Sequence, residues 1–133
     1  MICGFSQGTI ITTLLTAAVL RRGESPSWRG NVLVCGIPPR DAKWRATLPE
    51  PRLQFPAALV FSKKDPMYEY GQGLVRIYHA DTPVLMHEEG HRFPNNAEKL
   101  TAIANEIIRV GRMPPTPPPE PEDLAATTLA GAG

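Results

Sequence analysis

The chain has 133 residues, 42% of them hydrophobic, which gives room for one soluble domain with a modest core. Its 14 basic and 13 acidic residues leave a net charge of +1 and are scattered along the chain, so no Lys/Arg block tracks a phosphate backbone and no nucleic-acid partner is expected. No apolar run approaches the roughly 20 residues that span a bilayer, and the amino terminus lacks the order of a signal peptide, so no membrane span and a cytoplasmic location are expected.

In chain order, Ile2 to Phe5 reads as a short first strand, and Ile10 to Arg22 as a helix that stops at Arg21, Arg22 and Gly23, with cations in its last turn and glycine after it. Asn31 to Ile37 is a continuous apolar, β-branched run closed by Pro38 and Pro39, which suits a strand buried on both faces of a parallel sheet. Pro56 to Ser62 repeats that pattern. Met67 to Tyr78 reads as a helix weakened by Gly71 and Gly73. Thr82 to His87 reads as a third buried strand, and Asn95 to Val110 as an amphipathic helix opened by an asparagine cap. This alternation predicts an α/β fold: a parallel sheet with right-handed crossover helices. Cys3 and Cys35 are the only cysteines, and both sit in strand-like runs, so two reduced, buried residues are expected rather than a disulfide or a metal site. From residue 113 to residue 133, five prolines in a run of six and then small residues carry too little apolar surface to offset ordering entropy, which predicts a disordered tail.

The stretch Gly4-Phe5-Ser6-Gln7-Gly8 is a G-x-S-x-G pattern. Alone it is weak, since a chain of this length would show one by chance about 4% of the time. Its setting is specific, because a short strand precedes it and a helix follows it. Glycines on either side allow the tight turn that holds a nucleophilic serine outward, over a helix amino terminus whose dipole favours developing negative charge. The backbone N–H of Gln7 would be one oxyanion donor. The bland alternative makes Ser6 a helix cap between turn glycines. A serine hydroxyl needs a histidine to take its proton and a carboxylate to fix that histidine's tautomer. Of three histidines, His91 follows the third buried strand in a loop on the carboxyl edge of the sheet, where Ser6 also emerges. His79 ends a helix, where a favourable dipole interaction accounts for it, and His87 is expected to be structural. Asp65 comes off the same edge three residues after the second buried strand; Asp41 is the reserve acid, and Asp81 reads as a turn residue. Serine, acid, histidine is the chain order of α/β-hydrolases.

GFSQG followed by a helix, the late aspartate after a strand, and HEEGHRFPNN together resemble the FSH-type serine hydrolases. These are α/β-hydrolases that include the ovarian-cancer-associated serine hydrolases, and their histidine typically sits in an H-x-G-G-H-x-x-P setting. The resemblance implies Ser6 as nucleophile, Asp65 as acid and His91 as base. It implies carboxylic-ester hydrolysis of a small-molecule ester or acyl substrate through an acyl-enzyme, with no cofactor. Acyl-protein thioesterases also carry GFSQG, so thioester substrates stay open. Two departures stand out. Glu89 replaces the first of the paired glycines before His91, and the resemblance implies that the chain corresponds to the C-terminal half of an α/β-hydrolase fold, with residues 1–112 expected to be a partial hydrolase domain. The second oxyanion donor would then precede Met1, a loss of about 10²- to 10³-fold in rate. The first strand, central in a complete sheet, would expose an apolar edge open to self-association or pairing with another chain.

Two other readings compete. His87-Glu88-Glu89-Gly90-His91 matches the zinc-protease motif H-E-x-x-H, with Glu106 as a conceivable third ligand. That motif works only on a helix, where residues four apart share a face; here it follows a strand-like run, contains Gly90 and meets Pro94. The chain could also be a non-catalytic hydrolase-derived interaction protein, acting through its sheet edge and through Pro114 to Pro121 docked in an SH3- or WW-like groove.

Overall fold

The computed structural model describes residues 1–114 and Pro117; the rest of the proline-rich tail, including its expected disorder, lies outside the described residues. Strand and helix alternate as the sequence implies: β1 (Ile2–Phe5), α1 (Gly8–Arg21), β2 (Asn31–Val34), α2 (Ala42–Arg45), β3 (Ala57–Ser62), α3 (Tyr68–Ile77), β4 (Val84–His87) and α4 (Ala97–Arg112). The four strands form one parallel sheet in the order β1-β2-β3-β4, so all four carboxyl ends share an edge.

The period-2 alternation of β2 and β3 sends side chains to two cores. Leu33, Leu59 and Phe61 meet Ala17 of α1 and Leu74 of α3 on one face, together with Tyr78, while Val32, Val34 and Val60 meet Ile103 of α4 on the other. Every residue of β2 and β3 is buried, which is why both read as continuous apolar runs. The Thr82 to His87 run departs from the expectation of full burial. Only Val84–His87 forms the strand, it lies at the sheet edge, and Val84 is exposed. β2 is shorter than its apolar run because Cys35 leaves the strand with φ at +49°.

β1 is the other edge strand, and Phe5 on it and Met1 just before it are exposed. Cys3, two residues before Phe5 and so on the same face, is exposed rather than buried as expected, on a strand that has a neighbour on one side only. The segment between β2 and β3 holds an element the sequence pattern missed, the single-turn helix α2, whose first turn is capped by Asp41 accepting from the Lys43 N–H at 2.7 Å.

Gly71 and Gly73 do not break α3; they let it approach the segment that follows β2, and Gly71 also faces the Phe61 ring of β3. A Cβ on Gly71 would sit 2.6 Å from the Gly36 carbonyl oxygen, a backbone atom that cannot swing away. Gly71→Ala is therefore expected to destabilise the chain by about 1–3 kcal/mol despite alanine's higher helix propensity, read as a lower urea midpoint with unchanged slope. Among the described residues no helix is long and apolar enough to cross a membrane.

Candidate active site

Ser6 occupies the turn between β1 and α1 in the left-handed region, at φ 51°, a conformation that costs a non-glycine residue about 1–2 kcal/mol. Neighbouring bonds hold it there. The Ser6 N–H donates to the Val34 carbonyl at 3.0 Å, and the Ser6 carbonyl accepts from the Thr9 N–H at 3.1 Å and the Thr9 hydroxyl at 2.6 Å. The buried Thr9 hydroxyl in turn accepts from the Ile37 N–H at 3.1 Å, which ties the turn to the segment after β2. Of the two flanking glycines, only Gly4 is required by space: a Cβ there would lie 3.0 Å from the Gly8 carbonyl group, whereas one on Gly8 meets nothing within 4 Å. Among the described residues the Gln7 N–H, at the head of α1, has no acceptor.

The three residues singled out in the sequence converge. Ser6 Oγ lies 2.9 Å from His91 Nε2, and His91 Nδ1 lies 2.8 Å from Asp65 Oδ2. A carboxylate only accepts, so Nδ1 carries the ring proton and donates it, leaving Nε2 to accept from the serine hydroxyl. The Asp65 side chain is 4% exposed and that of His91 34%. Asp65 is fixed independently of His91, because its Oδ1 accepts from the Met67 N–H at 2.8 Å where α3 begins. Phe5 sets its ring 5.3 Å from the His91 ring and walls one side of it.

His91 sits in a narrow turn closed by the Arg92 N–H donating to the Gly90 carbonyl at 2.8 Å, with Gly90 at φ +73°. Three side chains outside the expected set hold that turn. The buried Ser62 hydroxyl, at the end of β3, accepts from the Gly90 N–H at 3.1 Å and the Lys64 N–H at 3.2 Å, so one oxygen links the turn to the Asp65 loop. The Cys35 thiol lies 3.4 Å from the Arg92 carbonyl and 3.6 Å from the Gly90 carbonyl, placing its proton between the two residues that flank His91. Burial, and after it the negative charge of Asp65, push this thiol up to about 11, so it is protonated at neutral pH. Glu89, the departure from the paired glycines, accepts from the Asn95 N–H at 3.0 Å and the Asn96 N–H at 3.2 Å and ties the turn to the head of α4. The only sequence sign of the Cys35 contact is its place just past a fully buried strand.

The remaining candidates fall elsewhere. His87 is buried, and burial lowers its pKa. Its Nδ1 accepts from the Glu89 N–H at 3.3 Å, so Nε2 carries the proton and faces the Cys35 sulfur at 3.8 Å. His87 closes a strand and residues 88–92 form bends, so the H-E-x-x-H residues share no helical face. Glu106 is paired with Arg109 at 2.7 Å instead. His79 and Asp81 form an exposed pair at 3.6 Å, and Asp41 is occupied by its helix cap.

No match to the chain was found among curated proteins. The family model described as Serine hydrolase (FSH1) matches residues 1–103. That span contains the serine turn, the Asp65 loop and the His91 turn in one continuous match, and the chain belongs to the serine hydrolase (FSH1) family.

Proposed function

We propose that the chain is a carboxylic-ester hydrolase whose chemistry is carried by Ser6, His91 and Asp65 within a domain of residues 1–112. The observation that carries this reading is the unbroken line of contacts, 2.9 Å from Ser6 Oγ to His91 Nε2 and 2.8 Å from His91 Nδ1 to Asp65 Oδ2. Ser6 Oγ attacks the ester carbonyl as Nε2 takes its proton, and Asp65 stabilises the resulting imidazolium. The carbonyl oxygen becomes an oxyanion, and the Gln7 N–H at the positive end of α1 is the donor in place to receive it. Collapse breaks the ester C–O bond, and the proton on Nε2 leaves with the alcohol. Water then repeats the sequence on the acyl-enzyme: His91 takes its proton, and Ser6 leaves with the carboxylic acid released. Small-molecule esters are the substrate class, with thioesters of the same acyl groups as the second choice, since the thiolate leaves by the same steps.

The test is labelling of the purified, folded chain with a fluorophosphonate, which traps an activated serine covalently. Stoichiometric labelling on the peptide containing Ser6, lost in Ser6→Ala and in His91→Ala, is the expected result. A folded chain that stays unlabelled over hours, or labelling that survives Ser6→Ala, would overturn the reading and leave a non-catalytic interaction protein as the better account.

A further inference from the structure

We propose that Cys35, Asp65 and His91 form a binding site for a soft divalent cation, Zn²⁺ in the first place, and that its occupancy arrests Ser6. The Cys35 sulfur, a carboxylate oxygen of Asp65 and a ring nitrogen of His91 all lie within 4.8 Å of one another. They come from three separate segments, those following β2, β3 and β4, so the cluster is a product of the fold and not of local sequence. A tetrahedral zinc ion holds sulfur at about 2.3 Å and nitrogen or oxygen at about 2.0–2.2 Å. Its ligand atoms are then about 3–4 Å apart, which these three reach by side-chain adjustment, leaving the fourth position to water.

A second observation points to the same place. Cys35 is the one described residue besides Ser6 that is not glycine and yet adopts a positive φ, 49°. Such strain persists only where the surroundings enforce it, and it gathers at functional sites. Here the strained residue carries a thiol into a cluster that already holds a carboxylate and an imidazole. A thiolate donor favours zinc or cadmium over magnesium or calcium, which seek oxygen ligands only. Charge also balances: one thiolate and one carboxylate neutralise Zn²⁺, which suits a thiol that is 1% exposed and a carboxylate that is 6% exposed by residue. His87 adds support from behind, since its Nε2–H faces the sulfur at 3.8 Å and becomes a donor to the thiolate. The partly exposed His91 ring is the side from which an ion enters. This site uses His91 without His87 as a ligand, and so differs from the H-E-x-x-H arrangement.

The proton balance explains the arrest. On binding, the Cys35 S–H releases its proton to solvent, and the proton on His91 Nδ1 gives way to the metal and moves to Nε2. Nothing is oxidised or reduced. An Nε2 that already carries a proton cannot take one from Ser6, so the serine is left inactive without any movement of the backbone. Coordination through Nε2 itself would remove the same acceptor.

Binding stands on its own, whereas arrest rests on the proposed role of Ser6, and the experiment separates them. The full chain carrying Cys3→Ser, which removes the other, exposed thiol, is titrated with Zn²⁺ against a chromophoric chelator and with Cd²⁺ by thiolate charge-transfer absorbance. One equivalent is expected to bind, at least about tenfold more weakly after Cys35→Ala, Cys35→Ser or His91→Ala, with no competition from Mg²⁺. Fluorophosphonate labelling is then compared with and without one equivalent of Zn²⁺. A slowing of at least about tenfold is expected, present with Cys35 and absent in whichever of the two Cys35 variants folds. Binding that ignores both Cys35 and His91, or no binding, overturns the site. Binding without slowed labelling overturns the arrest. Intact binding by a chain that never labels sinks the esterase reading and leaves the metal site standing.

Discussion

Asp65→Asn is expected to slow fluorophosphonate labelling of Ser6, and ester turnover with it, by about 10³- to 10⁴-fold while leaving the fold intact; the same exchange in a Ser-His-Asp protease costs about 10⁴. The amide oxygen of the substituted side chain still accepts from the Met67 N–H, which Asp65 holds at 2.8 Å, so the turn that leads into α3 keeps this bond. What changes is the atom 2.8 Å from His91 Nδ1. An amide NH₂ there donates, so Nδ1 becomes the acceptor and the ring proton moves to Nε2, where it faces Ser6 Oγ and blocks proton transfer. The variant should melt within a few degrees of the parent, because the burial of this position and its bond to the Met67 N–H are preserved. Labelling within tenfold of the parent would mean that Asp65 only holds its own turn and that the His91 turn orients the ring without it.

The Ser62 hydroxyl and the Cys35 thiol explain why that orientation does not depend on Asp65 alone. They hold the two sides of the His91 turn from the ends of β3 and β2, so a loss in Asp65→Asn reports on tautomer more than on ring placement. This separation is what makes the substitution informative about chemistry.

The sheet and the candidate site were legible in the sequence for different reasons. Strands buried on both faces leave unbroken apolar runs, and Val32 to Val34 and Ala57 to Phe61 show them. The elbow was readable because a serine between a strand and a helix has few other reasons for two close glycines, although only Gly4 proved to need its missing side chain. Asp65 and His91 were singled out because parallel strands deliver their following loops to one edge, and their side chains do meet there, at 2.8 Å. What stayed hidden depends on contacts between distant segments. The departure of Cys35 from the strand is enforced by neighbours that periodicity does not report, and the exposure of Cys3 goes with the place of β1 at the sheet edge. Asp41 looked like a spare acid, because a cap residue for a single-turn helix and a catalytic aspartate after a strand carry the same local signature.

The buried polar network under the sheet was equally invisible, and it underlies the largest stability effect expected. Asn31 opens β2 and is fully buried. Its amide donates to the Thr16 hydroxyl at 3.0 Å and the Tyr78 hydroxyl at 3.2 Å, and its carbonyl oxygen accepts from the Trp28 indole N–H at 3.0 Å. Tyr78, also fully buried and pushed up to about 12 by that burial, bonds the Thr13 hydroxyl at 3.1 Å. One side chain thus joins α1, β2 and the end of α3, and no buried side-chain polar atom among the described residues lacks a partner. Asn31→Ala removes three bonds worth about 1 kcal/mol each and opens a small void, for a loss of about 2–4 kcal/mol. That corresponds to a melting temperature lower by roughly 10–20 °C for a domain of this size. Tyr78→Phe alone should cost less, because Asn31 keeps Thr16 and Trp28. In the double variant the losses should fall short of their sum by about 0.5–1.5 kcal/mol, the coupling expected of groups that share a hydrogen bond. Strict additivity, or a melting temperature unchanged in Asn31→Ala, would mean that water replaces the amide at little cost and that apolar packing alone holds α1 to the sheet.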